Sequence, residues 1–343
     1  MKKNIFTALF AILVITVSAQ ERPLFSDQVV NHGDPDKQIW TQFMPYAKGR
    51  VIEDKEPYVS GRSPLLQAAD YDKMLENINK ITALLRSVSY IGEPQGVDIH
   101  ISKAIGHNYD TDTYNDYKKD PNVQLYGEIT VLVDPCIFYK GKRGNAEEMF
   151  ARLTICINSI GLSNDKPAQV KINPEKVAKF HGCDVYWLED NVEYAVITKP
   201  QMPVFVPISQ EDYYKACVKA YSNSIEVGIG FVVDRYKEKL SKLSAERRKQ
   251  QAVVNMEVED FSKESAAEQP KYFINNPQLI DYSRRNEIQL ITVSWSNPAR
   301  DAPLRLYKGG NDGFNIRYYI LNQLHNDSRV WNEIIKLNAE KIR

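Results

Sequence analysis

Apolar side chains return every three or four positions between Tyr71 and Val88: Tyr71, Met74, Leu75, Ile78, Ile81, Leu85 and Val88. That spacing is one face of an amphipathic helix, and Asp70 ahead of it is a capping residue type. After the Gly92 to Gly96 turn the period drops to two. Val97, Ile99 and Ile101 alternate with Asp98, His100 and Ser102, the pattern of a half-buried strand. Residues 125–139 read as a long strand interrupted near Pro135. Residues 146–160 carry Met149, Phe150, Leu153, Ile157 and Ile160 at helical spacing, which predicts a second amphipathic helix. Short strands are predicted at 169–172, 183–188 and 193–198, the last two joined as a hairpin with Asp190 and Asn191 at its tip.

The longest single signal follows. Pro200, Pro203 and Pro207 hold an extended approach. Ser209 and Asp212 then form a capping-box pattern, with Ile208 and Tyr213 placed as its hydrophobic staple. Tyr213, Cys217, Ala220, Ser224, Val227 and Phe231 continue one helical face. An unbroken helix over 209–251 would be about 64 Å long at the α-helical rise. Gly228 and Gly230 weaken its middle by about 1 kcal/mol each, and its charged second half is expected to project into solvent or pair with a partner helix. Residues 255–270 then carry Glu257, Glu259, Asp260, Glu264 and Glu268 with few apolar groups, the composition of an acidic linker.

The C-terminal part holds a strong strand at 288–295 and a glycine turn at 309–313. Two helices follow, the second capped by Asn326, Asp327 and Ser328. Its apolar content is too small for an independent core, so the strand is expected to join the earlier sheet. The predicted fold class is α+β. An antiparallel or mixed sheet is packed by two amphipathic helices, with a long central helix and a C-terminal strand plus two helices. The expected organisation is an α+β domain over 20–205 with an extended N-terminal arm, the long helix over 206–254, the linker over 255–271, and C-terminal elements over 272–343 packing on the main domain.

The first nineteen residues change the picture of where this protein works. Lys2 and Lys3 precede an apolar run from Ile5 to Val17, and small residues follow at Ser18 and Ala19. This is the pattern of a secretory signal peptide cleaved before Gln20. The run is short for a bilayer span, and no cysteine follows it to take a lipid. The mature chain is therefore expected to be exported and soluble, with no membrane span. Basic and acidic residues balance at 44 each among 343 residues, and loss of the leader's two lysines leaves a formal charge of −2. No field of this kind draws nucleic acid.

Candidate chemistry is sparse. His181 and Cys183 stand two apart, and on one strand face a base and a thiol would be a nucleophile pair; a turn and a core cysteine is the plainer alternative. Asp110, Asp112 and Asp116 in one loop offer oxygen ligands of the sort calcium takes, although an EF-hand's glycine and glutamate are missing, which favours a solvated loop. No other cofactor is indicated. Gly309 to Gly313 lacks the lysine and hydroxyl of a phosphate loop. The five histidines show no paired metal spacing, and four cysteines without a C-x-x-C can pair or stay as buried thiols. Tyr186, Trp187 and Tyr194 on the predicted hairpin are candidate rings for a protein or sugar surface. The missing catalytic motifs favour a non-catalytic binding or structural protein of the bacterial cell envelope, its partner another envelope protein or a glycan. A secreted hydrolase with a dispersed site is the alternative.

Overall fold

The computed structural model describes residues 30–32, 41–43, 47–60, 63–108, 123–139, 142–144, 151–160, 170–187, 193–199, 201–222, 230–256, 268–295 and 315–339. The expected leader, the aspartates at 110, 112 and 116, the tip at 190–191, the acidic stretch 257–267 and the glycine turn at 309–313 lie outside the described residues.

In chain order the strands are β1 Val30–His32, β2 Thr41–Phe43, β3 Val51–Glu53, β4 Tyr58–Val59, β5 Val97–Asn108, β6 Gln124–Pro135, β7 Ile137–Tyr139 and β8 Lys142–Gly144. They continue as β9 Ala151–Ile157, β10 Lys171–Ile172, β11 Glu175–Phe180, β12 Cys183–Trp187, β13 Glu193–Ile197, β14 Phe205–Pro207, β15 Tyr272–Asn275 and β16 Ile291–Trp295. The helices are α1 Ala68–Arg86, α2 Ser89–Gly92, α3 Gln210–Ser222, α4 Gly230–Lys242, α5 Ala245–Lys249, α6 Asn315–Asn326 and α7 Ser328–Ala339. The protein is α+β. Among the described residues nine strands make one mixed sheet in the order β11-β12-β13-β16-β9-β6-β5-β3, with β4 also on β5. Only β3 and β4 run parallel to their neighbour. The β16 strand, distant in sequence, sits between β13 and β9.

Alternation in β5 and β6 makes this sheet two-faced. Val97, Ile99, Ile101 and Ile105 of β5, and Leu125, Ile129, Val131 and Val133 of β6, are fully buried on one face. The α1 stripe of Tyr71, Met74, Ile78, Ile81 and Leu85 lies over them, joined by Leu324, Val330, Trp331 and Ile334 of α6 and α7. Asp70 sits at the third helical position and its Oδ2 accepts from the Gln67 amide at 2.9 Å, which closes the first turn of α1. Gly127 lets the helix come close: a Cβ there would stand 2.9 Å from Cγ1 of Ile78. One charge is buried on this face. Lys103 gives its ammonium to Glu53 Oε1 at 2.9 Å and to Asn79 Oδ1 at 3.3 Å, tying edge strand β3 to α1.

Two expectations are corrected. The predicted helix over 146–160 is strand β9 where described, at 151–157. Leu153 and Ile157 fit both periods, but Ala151, Leu153, Ile155 and Ile157 are all buried on one face, the period of two. Short apolar runs are ambiguous in isolation. Both edges of this one are hydrogen-bonded, to β6 and to β16, and that settles it.

The predicted rod is not a rod. Among the described residues α3 ends at Ser222, α4 begins at Gly230 and α5 follows Ser244, whose hydroxyl accepts from the Arg247 amide at 3.2 Å. The chain doubles back, so that the Gln210 amide donates to the Gln250 carbonyl at 2.8 Å and Ser209 bridges Gln251. The apolar stripe of α3 needs cover, and the other half of the segment supplies it. Tyr213, Tyr214 and Cys217 pack with Leu243, Val253 and Met256 in a second core, and Tyr221 stacks on Tyr236 at 5.5 Å. The charged half does not project freely either: Arg248 Nη1 meets Glu211 Oε1 at 3.0 Å. Beneath this hairpin β10, β15 and β14 form a three-stranded sheet.

Candidate functional site

The tip of the β11–β12 hairpin is His181-Gly182, both at positive φ, 47° and 89°. Phe180 and Trp295 stand three strands apart and four residues out of register, about 19 Å in a flat sheet, yet their rings are 5.6 Å apart. The sheet therefore curls, and the tip docks on the corner between α6 and α7. His181 Nε2 donates to the His325 carbonyl at 2.8 Å, and its ring stacks near Trp331 at 6.4 Å. Cys183 packs against the main core. Burial pushes its thiol pKa up, and the Asp184 carboxylate adds to this. No hydrogen bond joins His181 to Cys183 among the described residues, so the imidazole closes a helix end while the thiol stays protonated.

Two of the three hairpin rings are buried. Tyr186 and Tyr194 face each other across β12 and β13, 4% and 7% exposed. Tyr186 meets Phe205 of β14 edge-on at 5.0 Å. These rings seal the seam between the large and small sheets. Trp187, one position on, is half-buried. Among the described residues no group of histidine, cysteine, aspartate or glutamate is arranged to hold a metal ion.

The sheet's other face gathers polar chemistry that no motif announced. Asp98, His100 and Ser102 project there from β5, opposite Asp134, Leu132 and Thr130 of β6. Thr154 of β9 and Ser294 of β16 extend the Thr130 row. Asp98 is locked: it accepts from the Arg50 amide at 2.8 Å and from Nε and Nη2 at 3.1 and 2.6 Å. His100 Nε2 lies 3.3 Å from Asp134 Oδ2 and, among the described residues, has no hydrogen-bond partner.

In the next rows Thr130 Oγ1 donates to Glu128 Oε1 at 3.1 Å. Beside Glu128 the Cys156 thiol is pushed up to about 12, first by burial and then by that carboxylate. Burial, then Glu128, also raises the Tyr126 phenol. The Tyr126 ring lies so close over Gly106 that a Cβ there would be 2.3 Å from it. At the rim Ile52 and Tyr58, opposite His100 and Ala104, are 39% and 72% exposed. Sequence reading registered β5's alternation and a strand over 125–139 but not their pairing, so Glu128, Asp134 and Tyr58 went unmarked as a group. On the opposite, helix-covered face, at the Asn108 end of β5, the Tyr71 hydroxyl accepts from the Ser63 amide at 2.9 Å and bonds His107 Nε2 at 2.7 Å. Burial there lowers the His107 pKa.

No helix among the described residues is long and apolar enough to cross a membrane. No family model, curated protein or solved structure matches this chain.

Proposed function

We propose that this is an exported, non-catalytic binding protein of the bacterial cell envelope, and that the polar face of its large sheet is the ligand surface. The observation that carries the reading is the contrast between the faces. One is closed by α1, α6 and α7 over a continuous apolar layer. The other carries an exposed Ser102, a half-buried His100, Glu128 and Thr154 and a largely exposed Tyr58, over Asp98, Thr130 and Asp134, which are buried. Burying an apolar layer explains a sheet's inner face; a graded polar layer with an exposed ring is the composition of a recognition surface. Export rests on the leader pattern, and N-terminal analysis of protein recovered outside the cytoplasm is expected to start at Gln20.

The surface is tested by thiol protection. Ser102 is exposed on this face, and Lys73 stands on the solvent side of α1. In Ser102→Cys, maleimide labelling of the introduced thiol is expected to slow when the protein is mixed with a cell-envelope fraction, while Lys73→Cys labels at an unchanged rate. Equal rates for both would remove the reading. One observation favours a second reading, a hydrolase: His100 Nε2 beside Asp134 is the geometry of a base with an orienting carboxylate. That reading requires turnover of a chromogenic ester or glycoside that His100→Gln abolishes, and wild-type protein inert to both substrate classes would retire it.

A further inference from the structure

We infer that the ligand of the polar face is a carbohydrate, stacked on Tyr58 and held through its hydroxyls by Glu128. This rests on the reading of that face as the ligand surface. Tyr58 is 72% exposed on a two-residue strand, where a ring of its size gains nothing from the core. Register places it in one row with Glu128: Tyr58 pairs with Ala104, and Ala104 pairs with Glu128. Two strand spacings, about 10 Å, separate the backbones that carry the ring and the carboxylate. The side chain between them is the Ala104 methyl, so the floor is low and one pyranose ring fits between phenol and carboxylate.

The neighbouring rows complete the trough. Toward the Asn108 end the Tyr126 ring, laid over Gly106, forms a wall. Toward the Val97 end Ser102 is exposed, and Thr130 opposite it is buried and acts only through Glu128. Thr130 fixes Glu128 through Oε1, and Oε2 has no hydrogen-bond partner among the described residues. An aromatic face suits the C–H face of a sugar ring, and an oriented carboxylate accepts from adjacent hydroxyls in charge-assisted bonds. The same carboxylate disfavours an anionic ligand, and the hydroxyl-bearing rows offer little to a purely apolar one.

The test uses the mature chain and three probes, chitotetraose, cellotetraose and maltotetraose, with saturation-transfer NMR and calorimetry. At least one is expected to bind at a roughly millimolar Kd or tighter. Tyr58→Ala and Glu128→Gln should each weaken it about tenfold, Tyr58→Phe should retain it, and Tyr282→Ala, an exposed ring elsewhere, should leave it unchanged. Circular dichroism verifies that the variants fold. Binding that survives Tyr58→Ala overturns the inference, as does wild-type protein that binds none of the three. If no probe binds while the Ser102→Cys thiol is still protected by the envelope fraction, the carbohydrate assignment alone fails. If the thiol is also unprotected, the polar-face reading fails with it.

Discussion

The most constrained single residues are those where a neighbour's atoms already occupy the space a side chain would need. Gly106 is one, since Tyr126 covers it. Gly106→Ala must displace that ring and is expected to cost about 1–3 kcal/mol. In denaturant unfolding the double variant with Tyr126→Ala should lose less than the sum of the single losses, a coupling expected only of residues in contact. Arg50 is another constrained position. Its side chain is half exposed, yet it covers a carboxylate that is 4% exposed. Arg50→Ala removes the two guanidinium bonds from Asp98, leaving those from the residue-50 amide and the Cys136 thiol among its contacts, and should destabilise by about 3 kcal/mol, far more than loss of an exposed pair such as Lys80 with Glu76. Additive losses at 106 and 126, or a neutral Arg50→Ala, would contradict these contacts. Neither residue stood out in the chain. A glycine under a ring and an arginine over an aspartate 48 positions away are juxtapositions between strands, and periodicity reports only which face a residue takes.

Elements carry the next set of consequences. The doubled-back helical segment sets Ser209 opposite Gln251, with flanking bonds from Gln210 to Gln250 and from Ala252 to Ile208. Such a pair has Cα atoms about 4.5 Å apart, inside the range a disulfide spans. Ser209→Cys with Gln251→Cys should therefore close an intramolecular disulfide, seen as a two-thiol loss by mass spectrometry. In a straight rod of about 64 Å the two thiols would never meet.

The end of α6 and the β5 terminus add a pH response. Burial first lowers the His325 and His107 pKa values from 6.5, so the folded state binds fewer protons than the unfolded chain below about pH 6.5. Stability rises with pH wherever the unfolded state holds more protons. The contribution is complete above the unfolded value and lost as pH falls below it. The melting temperature should hold from pH 8 to 7 and fall between pH 6.5 and 5, and His107→Gln with His325→Gln should flatten that fall. An unchanged slope in the double variant would refute it.

At the scale of the molecule, the C-terminal helices belong to the main core. Trp331 is fully buried, donates Nε1–H to the Leu324 carbonyl at 2.6 Å and packs on Phe180 at 4.8 Å. Trp331→Ala should cost about 3–5 kcal/mol and lower the whole unfolding transition of the large sheet. A separate early transition would mean that α6 and α7 are an independent appendage.

What the chain alone determined was local. The α1 stripe, the β5 alternation and the bond from the Asp212 amide to the Ser209 hydroxyl follow from spacing and side-chain chemistry within a few residues. The tertiary structure decided the rest because the deciding partners are distant. β9 is a strand because β6 and β16 bond both its edges, and Tyr186 and Tyr194 are interior because β14 covers them. The helical rod became a hairpin because an apolar stripe is more stable buried against its own second half than left in water. The polar face exists only once strands about 20 to 140 residues apart are set in register, and hydrogen-bonded pairing across a sheet leaves no trace in a residue's own neighbourhood.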